Sequence, residues 1–202
     1  MTEENPRDRV PTSPTTDGGH ADPVDTVLHE IDTVLAAVDR ADIDALVERL
    51  VAAGRVFVAG EGRSGLMGKA FAMRLMHLGL TVHVVGETTT PSLARGDTVV
   101  AISGSGTTQG TVRVAEQAGE SGAVVHAVST DPASPLARLA EQVLTLPAAT
   151  KYRRSDEATT IQPLSSLFDQ VTHIVLDVVC LEVARRRGVD NAAARGAHSN
   201  TE

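Results

Sequence analysis

Two glycine-rich bends carry the side chains best suited to chemistry. Residues 103–108 read Ser-Gly-Ser-Gly-Thr-Thr, four hydroxyls in six positions, directly after the apolar run 98–102. Residues 60–65 read Gly-Glu-Gly-Arg-Ser-Gly, directly after Val56, Phe57, Val58 and Ala59. Hydroxyls and free backbone N–H groups at the start of a helix suit a phosphate monoester, because its negative charge interacts favourably with the positive end of the helix dipole. A third polar set, Ser166, Asp169, His173 and Asp177, recurs every three or four residues inside an otherwise apolar stretch. That spacing puts the four on one face of a helix, a natural place for acid–base work.

The first bend also matches the G-x-G-x-x-G pattern of dinucleotide sites, and Glu87 lies where a ribose-binding acid would fall, so a nicotinamide enzyme is a rival reading. A dinucleotide site has no need of Ser103, Ser105, Thr107 and Thr108 at the end of the third strand, and this favours a phosphosugar. Ordinary strand-to-helix turns would explain the glycines and leave the hydroxyls without a purpose.

The elements that must position these residues alternate. Apolar runs at 56–59, 81–85, 98–102, 123–128 and 142–146 read as buried strands. Helical periodicity lies between them, from near Ser64 to Leu78 with Gly79 as C-cap, through Val112 to Ala118, and more briefly over 134–140. The order predicts an α/β three-layer sandwich, a five-stranded parallel sheet flanked by helices in the flavodoxin/Rossmann manner, with its ligand at the carboxyl ends of the strands. Two amphipathic helices precede the first strand. A long helix from Pro163 to about Arg187 is apolar around most of its circumference, at Leu164, Leu167, Phe168, Val171, Ile174, Val175 and Val178, and so is expected to be buried, in part against a second subunit. The polar connection 147–162, with Lys151, Arg153, Arg154, Asp156 and Glu157, reads as a functional loop or lid. His83 and His126 fall inside strands and read as core or sheet-face residues. Residues 1–23, rich in Pro and Gly, read as a disordered tail, and 24–202 as a single domain.

Composition limits the partners. The 202 residues carry 18 Lys plus Arg against 26 Asp plus Glu, a net charge of −8 that opposes binding to nucleic acid. Cys180 is the only cysteine, which leaves no disulfide framework and no cysteine-based zinc spacing, and a reducing cytoplasmic setting is expected. No stretch has the hydropathy of a signal peptide or membrane span. The histidines and acids show no metal spacing; Asp169 and His173 are four apart, without third and fourth ligands.

The strings VFVAGEGRSGLMGKAFAMRLMHLGLTVHVVGETTTP, SGSGTT and TIQPLSSLFDQ resemble the sugar isomerase (SIS) domain family, from about Arg55 to the C-terminus. Within it they resemble the branch that interconverts 6-phospho-3-hexulose and fructose 6-phosphate, downstream of formaldehyde fixation by 3-hexulose-6-phosphate synthase. The resemblance implies no metal or organic cofactor, and a homodimer or homotetramer with sites near subunit interfaces. Carried over, it assigns substrate binding to Arg63, Ser64, Ser103, Gly104, Ser105, Gly106, Thr107 and Thr108. The family's helix motif SLFEQ puts its carboxylate at Asp169, here one methylene shorter. The family tail RHANLE is AHSNTE, which keeps His198, Asn200 and Glu202 and has Ala197 and Thr201 in place of Arg and Leu. Moving a carbonyl from C3 to C2 removes the C2 proton and returns one to C3 through an enediol, work for one carboxylate if donors hold the intermediate's charge. Asp169, in the first turn or two of the long helix, is the candidate base. His77 and His198 are candidates for shuttling protons between oxygens. The rival from another class is a sugar-phosphate sensor on the same fold, which would normally add a DNA-reading domain or basic patch; residues 1–54 show neither.

Overall fold

The computed structural model describes residues 22–155 and 157–201. The expected disordered tail lies outside the described residues up to residue 21. Its far boundary is earlier than the periodicity suggests, because Asp22 caps the first helix with its carboxylate, 2.7 Å from the N–H of Val24, and Pro23 occupies the first helical position.

Helices α1 (Pro23–Ala37) and α2 (Arg40–Ala52) lead into β1 (Val56–Gly60), α3 (Gly62–His77), β2 (Val82–Val84), β3 (Thr98–Ile102), α4 (Gln109–Glu120), β4 (Val124–Ser129), β5 (Gln142–Thr145), α5 (Ser166–Arg187) and α6 (Asn191–Gly196). The five strands are all parallel, in the order β2-β1-β3-β4-β5. Both faces are buried, which is why the strands read as continuous apolar runs. Val56, Val58, Val100, Ile102, Val128 and Leu144 pack under α1, α2, α3 and α5, while Phe57, Val99, Ala101, Val125 and Ala127 pack under α4. The predicted three-layer sandwich is therefore the observed one. His126 is buried in β4, and the His83 ring lies 5.0 Å from that of Phe57, as the sheet-face reading has it.

The chain leaves β1 toward β2 on one side and returns to β3 on the other, which opens a crevice where the strand order reverses. Gly60 and Ile102, the last residues of β1 and β3, pair in register, so the two bends leave the sheet at the same level, side by side.

Two local expectations are corrected, and a third is met in part within the single chain. The helix expected over 134–140 is a single 3-10 turn, Ala137–Leu139, because the N–H of Leu136 bonds the carbonyl of Gly106 and the N–H of Ala137 bonds the Ser134 hydroxyl. Helix α5 starts at Ser166 rather than Pro163, because Leu164 takes a left-handed φ of 53° that breaks the helical path. Its circumference is only partly covered: Leu167, Phe168, Val171, Val175, Val179 and Val183 face the core, while Ile174, Val178 and Leu181, at helical spacing, face solvent together with Met73 and Met76 of α3.

Candidate active site

The first bend is tight because its glycines make it so. A β-carbon at Gly65 would lie 2.6 Å from the carbonyl oxygen of Gly60, and Gly62 has φ 58°. This closeness starts α3 immediately beyond β1 and puts Arg63 and Ser64 on its first turn. Both reach the same carboxylate. The Ser64 hydroxyl donates to Oδ1 of Asp169 at 2.9 Å, and Arg63 Nε donates to Oδ2 at 3.1 Å. Asp169 is only 3 % exposed, whereas the Arg63 side chain is largely in solvent. Burial pushes the Asp169 carboxyl above its ordinary value, and the bonds from Ser64 and Arg63 pull back without cancelling the rise.

The second bend is closed differently. Its hydroxyls pair with one another, Ser103 with Thr108 at 2.9 Å and Ser105 with Thr107 at 2.8 Å. The loop is tied to β4 through the carbonyl of Gly104, which accepts from the N–H and hydroxyl of Thr130 at 3.0 and 2.8 Å. Thr108 stands at the N-cap of α4 but its side chain makes no capping bond, so no side chain of the cap satisfies the N–H groups of that helix's first turn. They lie beside the paired hydroxyls, an arrangement suited to an anion.

One turn of α5 serves both bends. A β-carbon on Gly104 would sit 2.9 Å from the ring of Phe168, so the second bend rests directly on that ring, while the next residue, Asp169, meets the first bend. Phe168 read as core from its periodicity; that it also supports a bend follows only from the packing.

The other expected residues lie elsewhere in the chain. His77 ends α3, and at about 1.5 Å rise per residue it stands about 20 Å along the axis from Ser64. His198 stacks on it with ring centroids 5.2 Å apart. This pair therefore does not share the Asp169 site within one chain. Of the polar face on α5, Asp169 alone turns inward, while His173 and Asp177 are exposed and 3.8 Å apart. Glu87 is exposed, 3.9 Å from Lys69 Nζ. Burial pushes the Cys180 thiol up to about 12, which removes it as a nucleophile. Among the described residues no three His, Cys, Asp or Glu side chains are grouped to hold a metal, and no helix is long and apolar enough to cross a membrane.

The connection 147–162 is knitted down. Ala148, Ala149 and Thr150 are buried, and Glu157 accepts from the N–H and hydroxyl of Thr150 at 2.8 and 2.6 Å. Arg153 donates to the carbonyls of Thr150, Gln162 and Leu164.

A parallel sheet whose reversal point holds a hydroxyl bend and a buried carboxylate defines a phosphosugar-handling class, and the SIS domain model matches residues 49–174. The chain belongs to the SIS domain family. More particularly, it is 44% identical over 176 residues to a 3-hexulose-6-phosphate isomerase of Mycobacterium gastri, covering 87% of this chain and 88% of that one. It is 36% identical to the protein of that name from Bacillus subtilis, covering 87% and 95%. A solved Methanococcus jannaschii structure, for which a molecular function of 3-hexulose-6-phosphate isomerase was inferred, superposes with a TM-score of 0.76 at 30% identity, covering 89% and 98%.

Proposed function

We infer that the protein is a phosphosugar isomerase that interconverts 6-phospho-3-hexulose and fructose 6-phosphate through an enediol. Relatives carrying that activity in their names match most of its length. The observation that carries the mechanism is a buried carboxylate, Asp169, bonded to the first bend and one residue from the ring beneath the second.

In this reading the phosphate takes the second bend, where Ser103, Ser105, Thr107 and Thr108 exchange their mutual hydrogen bonds for bonds to its oxygens. Gly104 and Gly106 let the bend settle against Phe168 and Ser134, which holds its backbone and hydroxyls in place for the phosphate. The open chain then runs toward the first bend, where Asp169 removes the C2 proton and returns one to C3. Its raised affinity for protons brings it closer to the operating pH, where general bases work best. Arg63 and Ser64 hold the carboxylate in place and supply donors beside the charge that develops on the enediol oxygens.

His77 and His198 act in this reading only if a second copy brings them to the site. The exposed row Met73, Met76, Ile174, Val178 and Leu181 supports such an assembly, a homodimer or homotetramer, because a contiguous apolar face favours burial against a partner. A cytoplasmic role beside 3-hexulose-6-phosphate synthase, fixing or releasing formaldehyde, completes the proposal. The test is incubation with fructose 6-phosphate and active synthase, with formaldehyde measured. Release is expected; none, with a synthase shown to cleave authentic hexulose phosphate, would refute the activity.

A further inference from the structure

We propose that Glu30, on α1, is a positioning residue for this reaction: its carboxylate clamps the strap 160–162 that feeds directly into α5, and so sets where Asp169 stands. The inference rests on the isomerase reading above. Glu30 makes none of the bonds to Asp169. It accepts from the Thr160 hydroxyl at 2.6 Å, the N–H of Ile161 at 2.7 Å and the Gln162 amide at 3.0 Å. Burial alone would raise its carboxyl, but the bonds from Thr160, Gln162 and Ile161, with the charge of Arg153, outweigh burial and hold it below its ordinary value. The clamp is therefore charge-assisted, the stronger class of hydrogen bond.

Little besides polar bonding holds the strap. The large apolar side chains here, Ile161 in the strap and Leu164 just beyond it, are 61% and 68% exposed, and a cavity of about 580 Å³ opens between the strap and α1 beside Thr26, His29 and Thr33. Leu164 nevertheless keeps a left-handed backbone, a conformation that persists in a branched residue only when its surroundings over-determine it. Glu30 fixes the strap on the N-terminal side of Leu164, and Arg153 fixes it through the carbonyls of Gln162 and Leu164 at 2.5 and 2.8 Å. The next residue, Ser165, accepts the N–H of Asp169 at 3.0 Å and begins the turn that carries the carboxylate. Released from Glu30, Leu164 relaxes toward an ordinary conformation and the first turn of α5 moves with it.

The experiment compares the full chain with Glu30→Gln and Glu30→Ala, in steady-state turnover of fructose 6-phosphate with excess synthase and in competition by inorganic phosphate. Because small misplacements of a reacting group are costly, kcat should fall about ten- to a hundred-fold in Glu30→Ala. The fall should be smaller in Glu30→Gln, whose oxygen still accepts from Thr160. KM and inhibition by phosphate should change far less than kcat, since the second bend is also tied to β4 through the carbonyl of Gly104 and meets the moved turn only at the Phe168 ring. Values of kcat within about two-fold of wild type in both variants overturn the inference, as does a parallel loss of kcat and phosphate inhibition, which marks general collapse. Should Glu30→Ala fail to fold, Glu30→Gln decides alone by the same criteria. An inactive wild type overturns the isomerase reading and the inference with it, whereas an active wild type with unaffected variants overturns the inference only.

Discussion

The bend at 60–65 lends its side chains to another element, whereas the bend at 103–108 keeps its hydroxyls for itself. Arg63 and Ser64 both reach across to Asp169, while Ser103 pairs with Thr108 and Ser105 with Thr107. Both bends join a buried strand to a helix at neighbouring points of one sheet. The difference lies in what each leaves available. The first presents an oriented, buried carboxylate; the second presents an uncapped helix start and hydroxyls whose present partners are easily exchanged. In the proposed reaction the two glycine-rich turns divide the work between them, one moving protons and the other holding charge.

The most severe way to break that division is Asp169→Asn. Loss of a general base costs about 10²- to 10⁴-fold in kcat, with KM little changed, in steady-state assays. A variant that lost affinity and kept kcat would place the base elsewhere. The same substitution should leave thermal stability at neutral pH equal or higher. The folded-state value of Asp169 is raised, so its favourable contribution is present below the ordinary carboxylate range and is lost as pH climbs through the raised value.

Ser103→Ala combined with Ser105→Ala should show the opposite pattern. KM should rise by about ten-fold or more, as expected for hydrogen bonds to a charged group, with kcat nearly unchanged. A drop in kcat alone would contradict a binding role for the second bend. Arg63→Ala is a milder probe. Removing a donor that pulls the Asp169 carboxyl down raises that carboxyl further, so the acid limb of the kcat profile moves to higher pH. Ser103→Ala should leave the limb where it is.

The smallest effect on neutral-pH activity is expected at His126, which is remote from both bends in its bonding. Burial, then the charge of Arg49, lowers it from 6.5 to about 4. The unfolded chain therefore binds the extra proton first, and stability falls as pH drops from 6.5 toward 4, by about 3 kcal/mol in all. Melts at pH 7.5 and 5 should differ more for wild type than for His126→Leu. An equal difference would assign the acid sensitivity to other groups.

Much of this arrangement was legible beforehand. Residues 98–102 form β3 as expected, because a β-branched run that empties into a bend of glycines and hydroxyls has few other stable places in an α/β chain. Asp169 falls in the first turn of α5 even though the helix starts three residues later than Pro163. The strand expected over 81–85 shortens to 82–84, an edge strand paired on one side only. The clamp by Glu30 was invisible because its partner Thr160 is 130 residues away, and no periodicity links α1 to that strap. His77 was a candidate for its imidazole chemistry alone, and it stands at the opposite end of α3 from Ser64.

The order of buried strands, the two bends and an acid at the head of the longest helix were written in local patterns, since strand and helix periodicities depend on neighbours a few residues apart. Which carboxylate the serine and arginine meet, which ring supports the hydroxyl bend and which face of α5 stays open were decided by the return of the chain across the sheet. Contacts of that kind depend on the distance and angle between elements, and on the burial that raises the Asp169 carboxyl, quantities that no stretch of sequence contains on its own.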